Sequence, residues 1–449
     1  MESSLGKQNI QAVFDPQSVV LIGSSKIDEE LGMTSPELFN NIEYNMQKYF
    51  QGEFTVIDIE TPDTSIPEVD TAIIVLPPPE SMEWAKKVME AGIKAIIQIT
   101  GGFPQDLKLE YLDLAMQHHT RVLGPNTIMG IVNTSIGLNT TFEKDLMPNK
   151  GNISVISQSG GVGAALLDWA SYYKIGISKF VFTGDKLDVD DANILKYYLE
   201  DPDTKVIAMY LEGLKNGRRF VEITKDITKT KPIVVLKGGI TEESAQRALS
   251  HTASIAGSDE IFNAAFNEAG IIRTHDIEEL FNTAMALVNQ PVMKGKNVVI
   301  LSNVGGPAIL AADAIAYNGL ELTHLSRETQ KKINEKYPGI EPINPLDIIA
   351  DARADRFRDM LELVLEDPNV HGVMVINMLK SCFFEPEDAS VIPEVAARYD
   401  KPVVDVPIGA DDFIQVNNVL RETPIPCYDL PDKAAKALKA LYDYGLIRQ

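Results

Sequence analysis

Of the six histidines in the chain, His251 sits in a setting the others lack. It lies within Ser250-His251-Thr252-Ala253-Ser254-Ile255-Ala256-Gly257-Ser258-Asp259, a small and polar stretch with little apolar surface to bury an imidazole, which reads as a loop. An imidazole nitrogen is nucleophilic at neutral pH and can carry a phosphoryl group, given a carboxylate to fix the ring and an anion cradle to receive the phosphate. Glu212, expected at the end of a strand over 206–211, can be that carboxylate. Ser157-Gln158-Ser159-Gly160-Gly161 follows an apolar strand and opens a helix over 162–172, so its amides and hydroxyls face the positive end of a helix. A tight strand-to-helix turn calls for the same residues on geometry alone, and the sequence leaves both readings of this turn open. His118, His119, His275, His324 and His371 fall in helical or edge contexts without such neighbours. No second His or Cys lies near His251 at ligand spacing, so no metal site is expected. Asp185-Lys186-Leu187-Asp188-Val189-Asp190-Asp191 has the charge of a calcium loop but not its central Gly or closing Glu, and reads as a capped helix start.

A second candidate lies near the N-terminus, where the first strand ends in Gly23-Ser24-Ser25-Lys26 and amides and hydroxyls can face a phosphate. Only Gly23 and the distant Gly32 are available, so the close-packed G-x-G-x-x-G dinucleotide fingerprint is missing. Asp58 and Glu60 end the second strand, where an acid can bond a ribose hydroxyl as in NAD enzymes or can simply be solvated. On these residues a nucleotide-like anion is expected, with NAD and coenzyme A both open. A later turn, Ser302-Asn303-Val304-Gly305-Gly306-Pro307, resembles 157–161 but reads as structural, because Pro307 removes one N–H donor.

The elements that must position these groups alternate short β-branched runs with longer helical patterns, which predicts α/β folding with parallel sheets throughout. Strands are expected at 18–22, 54–58, 72–76, 95–100 and 121–123, each followed by Gly or Pro. Pro, Gly and Lys break the apolar pattern at 147–151 and 290–296, giving three expected domains: 1–146, 147–291 and 292–449. The last two read as copies of one unit. Residues 151–161 align with 296–306, Asp168 falls opposite Asp313, Leu199-Glu200-Asp201-Pro202 recurs as Leu365-Glu366-Asp367-Pro368, and Lys231-Pro232 recurs as Lys401-Pro402. The fold class expected is a Rossmann-like lobe followed by two flavodoxin-like ones. A net charge of −23 disfavours nucleic acid and anionic lipid, and no apolar run approaches the ~20 residues of a membrane helix. Cys382 and Cys427 offer no disulfide framework, and residues 1–7 show no secretory pattern, so the cytoplasm is the expected compartment.

With these residues assembled, the chain resembles the α subunit of the NDP-forming acyl-CoA synthetases, relatives of succinyl-CoA synthetase, over nearly its whole length. The resemblance rests on Gly124-Pro125-Asn126, Leu138-Asn139-Thr140-Thr141-Phe142, Ser157-Gln158-Ser159-Gly160, Leu211-Glu212-Gly213, Lys237-Gly238-Gly239, Ser250-His251-Thr252 with Ala256-Gly257-Ser258, and Asn303-Val304-Gly305-Gly306-Pro307. It implies a CoA-binding domain, a phosphohistidine lobe and a further ligase lobe, in that order. It implies that His251 carries the phosphoryl group, that Glu212 orients it, and that Ser157, Gln158, Ser159, Gly160 and Gly161 bind phosphate. Gly23, Ser24, Ser25, Lys26, Pro77 and Asn126 are implied as CoA contacts. The ATP-grasp region of the family is missing from this chain, so a separate β subunit holding Mg and ADP or ATP is expected, in an α2β2 or similar hetero-oligomer acting on a small carboxylic acid. The chain departs from the family at Ala253, in a 124–130 segment one residue longer than usual, and at Ile59-Glu60-Thr61-Pro62, which lacks the usual Pro-Val-Asn-Pro-Lys. That last departure lies where the family holds the nucleotide part of CoA and supports one alternative, a CoA-binding regulatory protein without turnover; Asp58 and Glu60 alone support another, an NAD-dependent oxidoreductase.

Overall fold

The computed structural model describes residues 4–26, 34–61, 65–241, 243–244, 258–380 and 383–448, with the backbone alone at 4–8 and 34–35. His251 and the residues beside it at 250–257, together with Gly32, Pro62 and Cys382, lie outside them. The chain divides into two compact units, Met1–Ile277 and Glu278–Gln449.

In the first unit, β1 (Ser18–Gly23), β2 (Glu53–Asp58), β3 (Thr71–Val75), β4 (Ala95–Gln98) and β5 (Arg121–Leu123) form a parallel sheet in the order β2-β1-β3-β4-β5. Residues 19–22 and 72–75 are inaccessible, as apolar runs covered on both faces must be. The period-two alternation divides them between two cores. Val19, Leu21, Ile73 and Val75 pack toward α1 (Ser4–Phe14) and α2 (Thr34–Tyr49). Val20, Ile22, Ala72 and Ile74 pack toward α3 (Pro78–Glu90) and α4 (Gln105–His118).

A second sheet contains β6 (Ile131–Asn133), β7 (Leu138–Asn139), β8 (Lys150–Ser157), β9 (Ile177–Phe182), β10 (Val206–Leu211), β11 (Ile233–Lys237) and β12 (Ile272–Thr274), in the order β12-β11-β10-β8-β9-β6-β7. Helices α5 (Gly160–Tyr172), α6 (Asp191–Glu200), α7 (Gly217–Ile227) and α8 (Asp259–Ala269) cross over between its strands. The short β6 runs antiparallel to β9, pairing Ile131 with Val181. It therefore joins the second sheet although it lies within residues 1–146, the span expected to form the first domain. One continuous core runs from Phe14 and Leu21 through Tyr198 to Met209 and Val235. Phe14 stacks on Tyr197 with ring centroids 4.3 Å apart. Burial of these large side chains is why the two expected lobes form one compact unit instead of separating near residue 146.

The second unit begins within α9 (Ile277–Asn289), earlier than the expected junction at 291. Its sheet has β13 (Asn297–Ser302), β14 (Glu321–Leu322), β15 (Leu346–Asp347), β16 (Gly372–Asn377) and β17 (Val403–Pro407), in the order β14-β13-β16-β17, with β15 also pairing with β13. A parallel bridge from Asp405 to Cys427 extends it by one more position. Counted within each lobe with the two-residue β15 set aside, all three sheets follow the winding 2-1-3-4, the order of flavodoxin-like folds. The repeated punctuation in the sequence thus corresponds to a repeated topology.

Candidate functional site

The turn at 157–161 is built by its own hydroxyls. Ser157 Oγ donates to the Ser159 carbonyl at 2.7 Å, and Ser159 caps α5 by accepting from the Val162 N–H at 3.4 Å. The first amides of a helix have no preceding carbonyl to bond, which gives Gly160 and Gly161 donors to offer. A Cβ placed on Gly161 would meet no atom within 4 Å, so the space above the helix start is open to a ligand.

Gln158 turns inward from this opening. Its Oε1 accepts from the Glu212 N–H at 2.9 Å and the Gly213 N–H at 3.1 Å, while its Nε2 donates to Asp191 Oδ1 at 3.0 Å. Its own N–H donates to the Tyr210 carbonyl at 3.2 Å. Gln158 is thus a clamp that fixes the end of β10 against the end of β8, and Ser159, Gly160 and Gly161 form the side of the turn that faces outward. The clamp is backed by Lys186, whose ammonium lies 2.9 Å from Asp191 Oδ2 with both side chains buried.

Glu212 follows β10, only 9 % exposed, and its Oε1 accepts from the Tyr210 hydroxyl at 3.2 Å. Burial, and then the nearby carboxylate, push the Tyr210 phenol up to about 12, so this bond has a protonated donor at neutral pH. Lys237, ending β11, donates to the Glu212 carbonyl at 2.9 Å and lies 4.5 Å from the centroid of the Phe262 ring. Burial lowers the pKa of Lys237. Gln158 was expected to bind phosphate, and its side chain is instead engaged with the Glu212 and Gly213 N–H groups and with Asp191, while Asp191, Lys186 and Lys237 were assigned no role from the sequence. The buried acid at position 191, directly after the N-cap of α6, was the available signal.

The same chain of residues reaches the first sheet. Residues 185–189 run beside 122–125, with the N–H groups of Asp185, Leu187 and Val189 donating to the carbonyls of Pro125, Gly124 and Val122 at 2.8, 2.9 and 3.1 Å. Asn126, at a φ of 64°, donates from Nδ2 to Asp185 Oδ1 at 3.2 Å. Lys108 pairs with Asp185 at 2.6 Å, and Lys215 donates to the carbonyls of Asp185 and Lys186 at 3.0 Å. The expected capped helix start is present: Asp190 accepts from the Asn193 N–H in a capping box.

Pro77 opens α3 after β3, and Asn126 follows β5, so both lie with residues 23–26 at the carboxyl edge of the first sheet, where open α/β sheets bind ligands. The missing side chain of Gly23 makes room for the Phe39 ring, which a Cβ there would approach to 2.2 Å. The neighbouring hydroxyls are engaged with acids. Ser24 Oγ donates to Glu60 Oε1 at 3.1 Å, Ser25 bonds Asp58 through its hydroxyl and, at 3.4 Å, its N–H, and Lys26 pairs with Glu60.

Strand register shows which copy carries this chemistry. Tyr210 is paired with Ser157 as Ile376 is with Ser302, which makes Met378 the counterpart of Glu212 and Pro407 the counterpart of Lys237. Asn303 keeps the clamp, accepting from the Met378 N–H at 3.1 Å. The second unit therefore retains the geometry of the turn and replaces the carboxylate and ammonium beside it. Among the described residues no His, Cys, Asp and Glu group is arranged to hold a metal ion.

Residues 150–287 match the succinyl-CoA ligase like flavodoxin domain, and residues 298–445 match the ligase-CoA domain. The α subunit of acetate–CoA ligase (ADP-forming) I from Pyrococcus furiosus is 34 % identical, over 97 % of this chain and 98 % of the relative. The acetate–CoA ligase (ADP-forming) of Methanocaldococcus jannaschii is 36 % identical over 96 % of this chain, which spans 63 % of that longer relative. The dinucleotide-forming acetyl-coenzyme A synthetase 1 of Ca. Korarchaeum cryptofilum, solved with phosphate and ADP, superposes with a TM-score of 0.87 at 30 % identity, over 98 % of this chain and 97 % of that one.

Proposed function

Because the chain belongs to the family of ADP-forming acetate–CoA ligase α subunits, we propose that it transfers a phosphoryl group between an acyl phosphate and ADP by way of His251. The overall reaction of the subunit with its β partner interconverts acyl-CoA, ADP and phosphate with the acid, CoA and ATP. In the first partial reaction, phosphate oxygen attacks the thioester carbonyl, the C–S bond breaks, and CoA leaves as the thiol. In the second, a His251 ring nitrogen takes the phosphoryl group as the P–O bond to the acyl oxygen breaks, releasing the carboxylate. In the third, ADP takes the group from the imidazole on an ATP-grasp β subunit, which also carries Mg. Glu212 holds the ring and stabilises its positive charge, and the helix start at Ser159, Gly160 and Gly161 receives the phosphate oxygens.

The observation that supports this reading is the Gln158 clamp. One amide ties the Glu212 backbone to the anion turn in a buried setting, so a carboxylate and an open helix start are held together. Such an arrangement serves a group that must be positively charged and phosphorylated by turns. Residues 1–146 as the CoA-binding module, with Ser24, Ser25, Lys26, Pro77 and Asn126 as contacts, 147–291 as the phosphohistidine module and 292–449 as the second ligase module complete the proposal. So do a short carboxylic acid as substrate, an α2β2 assembly and a cytoplasmic location. Among the described residues no helix is long and apolar enough to cross a membrane. The relatives are ligases, which leaves the regulatory and oxidoreductase alternatives without support.

The test is to incubate the complex of this chain and its β partner with radiolabelled phosphate and acetyl-CoA, and to look for acid-labile, base-stable label on the chain. Label is expected on wild type and not on His251→Ala. Normal ATP formation by His251→Ala would end the phosphohistidine reading.

A further inference from the structure

Lys237, at the end of β11, is a buried ammonium that bonds no carboxylate among the described residues. Burying a charge is costly, and burial lowers its pKa accordingly. Its bonds go to backbone carbonyls instead, those of Glu212, at 2.9 Å, and Gly238. The centroid of the Phe262 ring lies 4.5 Å from it, a contact suited to a cation. Phe262 belongs to α8, whose first residue, Asp259, accepts two bonds from the Arg273 guanidinium at 2.7 and 3.1 Å. Residues 238–258, with His251 among them in sequence, separate β11 from α8. One side chain therefore touches the residue that bears the carboxylate of the site, the residue that opens this segment and the helix that follows it. Gly238 belongs to the same contact, because a Cβ there would overlap the Tyr210 hydroxyl that donates to Glu212 Oε1 at 3.2 Å.

The second unit supplies a control for these four residues. Leu211 pairs with Lys237 as Asn377 pairs with Pro407. The Gly238 N–H donates to the Leu211 carbonyl at 2.9 Å, as the Ile408 N–H donates to the Asn377 carbonyl at 2.8 Å. Tyr210, Glu212, Lys237 and Gly238 thus correspond to Ile376, Met378, Pro407 and Ile408. The second unit builds the same strand ends without any of the four, so the fold does not call for them. It also lacks the long segment: residues 408–409 alone separate β17 from the helix Ala410–Leu420. The buried ammonium is present in the copy that has the histidine segment and the carboxylate, and absent from the copy that has neither.

We propose that Lys237 is a positioning residue of the phosphoryl transfer, its ammonium tying Glu212 to both ends of the segment that carries His251. The inference rests on the reading above that His251 is phosphorylated, and it names what holds Glu212 in place for that step. Bonds from a charged donor are about twice as strong as those from a neutral one, which is what a buried ammonium offers two carbonyls that a neutral side chain does not. Lys237 acts through Glu212 and the ends of the segment, without touching a reacting atom.

Rapid-quench labelling of the complex of this chain and its β partner, with radiolabelled phosphate and acetyl-CoA, tests it. Lys237→Met fills the space beside Phe262 and removes every N–H donor. Its kcat for labelling is expected to fall at least about tenfold, with KM for phosphate little changed, since a small misplacement of reacting groups costs up to about a hundredfold in rate. Lys237→Arg keeps the charge and its donors and is expected to recover part of that loss, and Lys237→Gln, with a neutral donor, less of it. Lys237→Gln is expected to unfold near the wild-type midpoint, and it carries the test by itself if Lys237→Met does not fold. Wild-type kcat in the folded variants, or a loss carried by KM alone, would overturn the positioning role and keep the phosphohistidine reading. A wild-type complex that takes up no label would overturn that reading, and the role with it.

Discussion

Asp405 places a titrating group in the centre of the second unit, and its effect on stability can be worked out. It lies on β17 with no exposure, and its Oδ1 accepts from Asn377 Nδ2 at 2.7 Å. Among the described residues no group bonds its Oδ2. Burial pushes the carboxyl up to about 7, against the opposing bonds from Asn377 and the Val406 N–H. A titrating neighbour paired with it across the sheet, the Cys427 thiol, is itself raised by burial and by the charges of Asp405 and Asp429, so it stays protonated in this range. Below pH 4 the folded and unfolded chains both hold the Asp405 proton, and no stability depends on it. Between about pH 4 and 7 the folded state binds more protons than the unfolded one, so stability falls as pH rises, by about 1.4 kcal/mol per unit. Above pH 7 both forms are ionised and the loss levels off at about 4 kcal/mol. Hydrogen exchange read by mass spectrometry on peptides from β16 and β17 isolates this unit from the rest of the chain. After correction for intrinsic rates, wild-type opening free energy should decline from pH 5 to pH 7 and then flatten. Asp405→Asn should show no slope and should exceed wild type at pH 8. A wild-type profile level from pH 5 to pH 8, or a variant that keeps the slope, would refute the argument.

Three further outcomes follow from the first unit. Gln158→Leu removes the acceptor of two buried N–H groups and should destabilise the chain by about 2–5 kcal/mol in urea unfolding, with phosphorylation of the chain slowed. Lys179→Met leaves the Asp201 carboxylate buried without the ammonium 2.9 Å away, and should cost about 3–5 kcal/mol by the same measurement. Asp188→Ala removes the acceptor of Arg121 Nε at 2.8 Å and the Val122 N–H at 2.9 Å, and should speed amide exchange across 185–189 while leaving β16 and β17, in the second unit, unchanged.

The parallel strands were legible because their apolar runs are buried on both faces and end in Gly or Pro. The doubled unit was legible because its punctuation recurs in order. Strands β6 and β7, of three and two residues, carry too little periodicity to be read, and pairing with β9 is a long-range choice that local residues do not encode. The boundary near 146 was read from Pro148 and Gly151, but the stack of Phe14 on Tyr197 joins segments more than 180 residues apart and cannot be seen in either one. At the site, the turn and Glu212 stood out as local motifs. The inward direction of Gln158 did not, since its partner Asp191 lies 33 residues away. Gly23 signals a close approach without saying by what, and the group its missing side chain accommodates is the Phe39 ring.

The ladder between 185–189 and 122–125 also governs how the first unit responds to heat. Three backbone bonds, the Asp188–Arg121 and Asp185–Lys108 pairs and a shared apolar core leave neither sheet able to melt while the other keeps its contacts. The two sheets are then one cooperative block, and occupancy anywhere on it is felt as a higher melting point everywhere on it. A ligand bound at the first sheet would therefore protect the turn of the second without touching it, and a ligand bound at that turn would protect the first sheet in return. Saturating either station at a hundred times its dissociation constant is worth about 2.7 kcal/mol to the whole block. A ligand of either sheet would thereby stabilise both.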